Sequence, residues 1–311
     1  MNDVSNNIYT QYVDHLPELP LDKQIHFASR LYLWSGDGTC RTILDDLQTL
    51  IWRGRTPETL VRDLHAGKIF VMNSGAKLIA SQMRASYLER YPELRAAAFT
   101  LYWAQLLDTL YGQNLRASVL KTLPVAVYAD MYDQLLHDPA AMRALSTYAV
   151  NFMYIYRQYV QQEGTTELAQ YLQDEVATTP GTSSPEQEQL FAYLITHCII
   201  NATGFYAHPV PANEQAVYRS LLGTLEMHLD QSYEALRLDN KLEFLVCCRL
   251  VGYESNYEKR ILEEAASCHA KPYGIIAQAP GSTDTALARA EHRNVLYLMA
   301  TSASGRLIQG A

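Results

Sequence analysis

Pro92-Glu93-Leu94-Arg95-Ala96-Ala97-Ala98-Phe99-Thr100-Leu101-Tyr102-Trp103-Ala104-Gln105-Leu106-Leu107-Asp108-Thr109-Leu110 decides the fold class. A proline followed by an acid is a helix start, because the missing N–H is one that a first turn leaves unbonded anyway. Phe99, Tyr102, Trp103, Leu106, Leu107 and Leu110 then recur at three- and four-residue spacing, which lays them along one helical stripe. The pattern repeats outward. Residues 21–34 (Leu21 to Trp34) form an apolar-periodic segment closed by Gly36-Asp37-Gly38, and Thr56-Pro57-Glu58 is a threonine cap before a proline and an acid. Pro139 predicts the start of a third long helix, with Leu145, Tyr148, Ala149, Phe152, Met153, Tyr156 and Val160 on its inner face. No segment alternates apolar and polar residues for long enough to read as a strand. The class is all-α.

Ala177-Thr178-Thr179-Pro180-Gly181-Thr182-Ser183-Ser184-Pro185 has two prolines, a glycine and five hydroxyl residues with no apolar anchor, so it reads as a linker or long loop. The expected organisation is a helical domain over 1–176, a linker over 177–186, and a second helical domain over 187–311 that carries a candidate pocket. Helices are expected near 187–202, 213–236, 240–251, 255–267 and 284–301, with a loop over 270–283. Short helices joined by short turns imply stacked antiparallel hairpins, in a bundle, a solenoid or a curved α/α ring.

Composition narrows the function classes. Across 311 residues, 48% are hydrophobic and 19% charged, which excludes a disordered chain and a disulfide-dense mini-protein. A net charge of −8 and the absence of a basic cluster argue against nucleic acid or an anionic membrane as partner. No apolar run approaches the ~18 residues of a membrane span, and the polar start Met1 to Asn7 does not resemble a secretory signal, so a cytoplasmic protein is expected. The five cysteines, Cys40, Cys198, Cys247, Cys248 and Cys268, show no CxxC spacing and fit buried packing. Gly36-Asp37-Gly38-Thr39 lacks the lysine of a phosphate loop, and neither a Rossmann fingerprint nor a G-x-S-x-G elbow occurs.

The strongest site signal is Leu190 to Asn201, apolar nearly all round, in which Tyr193, His197 and Asn201 fall at i, i+4 and i+8 on one line. Each polar group left buried and unpaired would cost about 1–3 kcal/mol, so the line bonds other helices, water or a ligand. One reading is an interhelical network that sets packing register, the other a polar stripe lining a pocket. Thr203-Gly204-Phe205-Tyr206-Ala207-His208-Pro209 follows, and Tyr206 and His208 join Tyr193 and Asn201 as candidate ligand-binding residues. The candidate catalytic residues are His197, His292 and Glu243. His292 shares a face with Ala288, Val295, Leu296 and Met299, so it points inward among apolar neighbours, while Glu291 and Arg293 lie off that stripe. A histidine so placed stays neutral and suits a general base. Glu243 follows a helix start, where the dipole favours an acid; buried, its pKa would rise. No metal site is expected: His197 and His208 are eleven apart, and a third ligand would have to come from Glu226, His228, His269 or His292. No cofactor is implied.

The expected function is therefore a polar, Tyr/His-lined pocket for a small organic molecule or short peptide, with acid–base chemistry on it. The alternative is a non-catalytic helical adaptor for another protein, favoured by the 22 tyrosines and the lack of a catalytic signature. A homodimer is compatible with either.

Overall fold

The computed structural model describes residues 3–70, 82–178, 184–282 and 286–302. Its first half contains α1 (Asp3–His15), α2 (Leu21–Ser35), α3 (Gly38–Trp52), α4 (Pro57–His65), α5 (Gln82–Arg90), α6 (Leu94–Tyr111), α7 (Leu115–Thr122) and α8 (Val125–Leu136). Then follow α9 (Pro139–Leu145), α10 (Thr147–Ile155), α11 (Thr166–Tyr171), α12 (Pro185–Ala202), α13 (Gln215–Ser232), α14 (Leu238–Val251), α15 (Glu258–Ser267) and α16 (Leu287–Thr301). The fold is all-α, built of stacked helical hairpins in a bundle-like arrangement. Helix α6 is the stretch quoted first; it ends where Gly112 turns left-handed (φ 64) and returns its N–H to the Asp108 carbonyl.

Among the described residues, an inner set of helices packs in succession: α6 on α10, α10 on α12, α12 on α14, α14 on α16, and α16 on α2. The two ends of this succession meet where Arg30 of α2 and Tyr102 of α6 act on each other electrostatically. Amphipathic helices cover the outside, with α3 against α2, α1 against α16, α13 against α12, α15 against α14, and α4 and α7 against α6. This layering explains why Leu190–Asn201 and Leu242–Cys248 are apolar nearly all round: an inner helix has neighbours on most sides. All five cysteines are buried and free.

The long helix expected from Pro139 is broken at Ser146. That residue adopts φ 50 and ψ −118, and its buried hydroxyl donates to the Leu190 carbonyl at 2.6 Å, so α9 and α10 leave at different angles. Downstream the turn widens over Tyr156–Gln161, and the Arg116 guanidinium donates to the Tyr159 and Val160 carbonyls at 2.7 Å each. The loop expected over 270–283 holds part of a two-residue antiparallel pair, β1 (His269–Ala270) with β2 (Ile275–Ile276), too short to show alternation. It is pinned by Asn294, whose side chain accepts from the Ile276 N–H at 2.7 Å and donates to its carbonyl at 3.2 Å. Of the expected linker, residues 179–183 lie outside the described residues; Ser184 at its end caps α12. Among the described residues no helix is long and apolar enough to cross a membrane.

Asp138 ties the first half together: one carboxylate oxygen caps α9 at the Ala141 N–H (2.9 Å) while the other receives Arg90 (2.6 Å). Asp138→Ala is expected to lower stability by about 1–2 kcal/mol, read as a lower urea midpoint, whereas Asp138→Asn keeps the cap and loses less.

Candidate functional site

Helix α12 delivers Tyr193, His197 and Asn201 to the middle of the inner layer, where they meet side chains from the other inner helices. Asn201 Nδ2 lies 2.6 Å from the His197 carbonyl, which can only accept, so this end is the amide nitrogen. The same nitrogen donates to Asn151 Oδ1 of α10 at 2.7 Å, which makes that atom an acceptor. His197 Nδ1, 2.8 Å from Asn151 Oδ1, must then carry a proton. Its other nitrogen, Nε2, faces Glu243 Oε1 of α14 at 3.3 Å. Both ring nitrogens of His197 therefore point at acceptors, and the ring is oriented by a carboxylate on one side and an amide on the other. Thr196 donates to the second oxygen of Glu243 at 3.1 Å.

Glu243 is 1% exposed, and its pKa does not rise as burial alone dictates. Burial pushes it up, but the adjoining His197, His292 and the Thr196 hydroxyl hold it below the usual carboxylate range. The buried environment anticipated for His292 is also corrected: its neighbours are polar. Its ring lies 5.3 Å from that of His26 on α2, and Glu243, Arg30 and Glu291 act on it electrostatically. Glu291 and Arg293, expected off the inward stripe, are both buried, because α1, α2, α14 and β2 together surround α16. Arg293 Nε donates to Asp239 at 2.7 Å. Glu291, fully buried, accepts from His26 Nδ1 at 2.6 Å and Lys23 Nζ at 3.3 Å.

Two carboxylate–imidazole pairs, Glu291–His26 and Glu243–His197, thus flank a third histidine. Burial first, then the cations Arg30 and Lys23 and the nearby His197, push the His26 pKa well below its ordinary value. Burial and His26 push His292 down to about 3, against the opposing pull of Glu243 and Glu291. His26 and His292 are neutral at pH 7. Among the described residues, no group hydrogen-bonds the His292 ring or His26 Nε2. The imidazoles nevertheless keep accessible surface, 17% of the side chain for His26 and 15% for His197.

Tyr206 arrives by a strained route. Gly204, Phe205 and Tyr206 are consecutive left-handed residues (φ 57, 56 and 73), a conformation costing roughly 1–2 kcal/mol for each side chain with a Cβ. Thr203 holds the turn: its hydroxyl accepts the Tyr206 N–H at 3.1 Å and its carbonyl the Ala207 N–H at 2.9 Å. The result seats the buried Tyr206 ring 5.8 Å from the Arg30 guanidinium and Phe205 against Tyr102.

The structure brings Tyr193, His197, Asn201, Tyr206, Glu243 and His292 to one locus. His208 is not brought there; it is exposed, with Nδ1 donating to the Pro209 carbonyl at 3.1 Å. Of the other residues named for a metal, His228 bonds Glu188 and Glu226 bonds Tyr253 and Ser255, while His269 lies in β1 with its Nε2 buried and unbonded among the described residues. Among the described residues no three His, Cys, Asp or Glu side chains are grouped to hold a metal ion. Sequence reasoning missed Lys23, His26 and Arg30, although their i, i+3, i+7 spacing in an otherwise apolar segment was a signal of the same kind as the α12 line. It also missed Asn151, the one polar residue besides Tyr154 between Ala149 and Tyr156.

A second buried polar knot differs. Glu214 accepts from Thr166 and Tyr218, Tyr218 pairs with Tyr154, and Thr165 also donates to Glu214. Its bonds join α10, the start of α11 and the start of α13, so packing explains it.

The chain belongs to the family described as a domain of unknown function (DUF3541), whose model matches residues 1–305. No curated protein and no solved structure matches it.

Proposed function

We propose that the chain binds a small organic molecule or short peptide among its inner helices and moves protons on it by acid–base catalysis. The observation that carries this reading is His292: a neutral imidazole inside the fold, between two carboxylate–histidine pairs, whose ring nitrogens have no hydrogen-bond partner among the described residues. The ring is half-buried and its nitrogens keep accessible surface, so a molecule held among the inner helices can reach them without displacing a protein hydrogen bond.

In a proton transfer, His292 takes the proton at a ring nitrogen, and Glu243 and Glu291 stabilise the imidazolium that forms. Glu291 holds His26 by Nδ1, which leaves Nε2 as an oriented acceptor. The His197 ring, fixed between Glu243 and Asn151, supplies a donor. Five buried, unbridged thiols fit a cytoplasmic location.

The test is native mass spectrometry of the purified full chain, followed by a turnover assay on any retained molecule and its chemical relatives. His292→Asn is expected to lower kcat about 10²–10⁴-fold without lowering the melting temperature, as loss of a positioned base does. A variant that turns over substrate like the wild type, or a chain whose ligand sits elsewhere, would remove the proposal.

A further inference from the structure

Arg30 is 7% exposed and carries a full positive charge into the fold, yet no carboxylate lies within ion-pairing distance of it among the described residues. The carboxylate whose charge it feels, Glu291, already has its two oxygens on His26 and Lys23. Its nearest neighbours on that side are neutral phenols: the Tyr206 ring lies 5.8 Å from its centre, and Tyr102 of α6 acts on it electrostatically. Two polar atoms are left over there. Among the described residues, neither Arg30 Nε nor the Tyr206 hydroxyl has a hydrogen-bond partner, although both atoms are buried. Buried charges in proteins are ordinarily paired, because the field of an isolated one is costly in a medium of low polarity. The backbone strain at Phe205 and Tyr206 is spent on holding a phenol, an extra donor, beside a cation that lacks an anion.

We propose that Arg30, with the Tyr206 hydroxyl beside it, is the receptor for an oxyanion on the bound molecule, a carboxylate or a phosphate. This rests on the reading of the inner-helix site given above and names the class of its ligand. Guanidinium and phenol are all donor toward such a group, and Arg30 lies one helical turn beyond His26 on α2, so the anion would be anchored next to the proton-transfer histidines. Anchoring by a charge remote from the reacting atom is how a site fixes the rest of a small substrate against its bases.

The experiment is calorimetric titration and thermal melting of the full chain with acetate, benzoate and inorganic phosphate, against acetamide and benzamide as uncharged isosteres. At least one oxyanion is expected to bind saturably and raise the melting temperature, with the matching amide about tenfold weaker or worse. Arg30→Met is expected to lose that binding about tenfold or more, while melting no lower than wild type in the absence of ligand, since an uncompensated buried charge has been removed. Tyr206→Phe is expected to bind several-fold more weakly with Arg30 intact, and it carries the test if Arg30→Met fails to fold. A response to acetate or benzoate alone assigns a carboxylate, and one to phosphate alone a phosphate ester. Absence of binding by all three oxyanions, equal binding of benzamide and benzoate, or unchanged binding in both variants would overturn the assignment. Oxyanion binding that depends on Arg30 in a chain whose turnover ignores His292 would leave this subsite standing and sink the acid–base reading. Turnover of a neutral molecule that needs His292 but not Arg30 would do the reverse.

Discussion

Stability should fall steeply as pH drops below about 6.5. The pKa values of His26 and His292 in the fold are depressed below the unfolded value, so the unfolded chain binds more protons than the folded one throughout the window between them. Their contribution is fully present above the unfolded pKa, near 6.5, and is lost as pH falls toward the folded values, about 3 for His292. Within that window a histidine removes about 1.4 kcal/mol per pH unit, so His292 alone removes on the order of 2 kcal/mol by pH 5, and His26 adds a loss of the same sign. Against a total of about 5–15 kcal/mol, that is a large share.

The glutamates enter lower and with opposite signs. Glu291, raised chiefly by burial against the pull of Lys23, His292 and Arg30, holds its proton better folded than unfolded and offsets part of the loss just above pH 4.5. Glu243, lowered, adds to the loss below its unfolded pKa. Urea midpoints from pH 7.5 to 5 check the prediction, and His292→Asn should flatten the slope. A midpoint independent of pH over that range would mean that the two rings are hydrated and titrate normally.

Removing the Glu243 carboxylate is the second large effect. Glu243→Ala strips the His197 ring of an acceptor and leaves the Thr196 hydroxyl with only the Tyr193 carbonyl at 3.3 Å, where water is scarce. Breaking a buried pair from one side costs about 3–5 kcal/mol, so the variant is expected to be largely unfolded at 37 °C or to show a greatly lowered urea midpoint. Glu243→Gln retains shape and one acceptor and should lose less. Removing both members, as Glu243→Leu with His197→Leu, should recover part of the stability lost in Glu243→Leu alone, because the imidazole is no longer left without its carboxylate. A Glu243→Ala chain within about 0.5 kcal/mol of wild type would show that the pair is solvated.

The helices were legible because their signals are local. Pro92 before the stripe of α6, Thr56-Pro57 before α4 and Ser184-Pro185 before α12 act through backbone groups a few residues away. The break at Ser146 was not legible, since what holds it is the Leu190 carbonyl, 44 residues on. The site divides along the same line. A polar row on an apolar helix marked Tyr193, His197 and Asn201. The same arithmetic applied to one stripe of α16 put Glu291 on the outside, because an inner helix has no single inside face.

What the chain's order of residues determined alone was periodicity: an all-α body, its helix starts, and a few polar side chains embedded in apolar rods. These are properties of neighbours within one or two turns. Only the tertiary structure decided that His26 hydrogen-bonds a carboxylate 265 positions away, that Glu243 is held ionised rather than neutral, and that Arg30 has no carboxylate within ion-pairing distance among the described residues. Proton affinities and ion pairing depend on which charges lie within a few ångströms, and that distance is set when the two ends of the chain, α2 and α16, pack together.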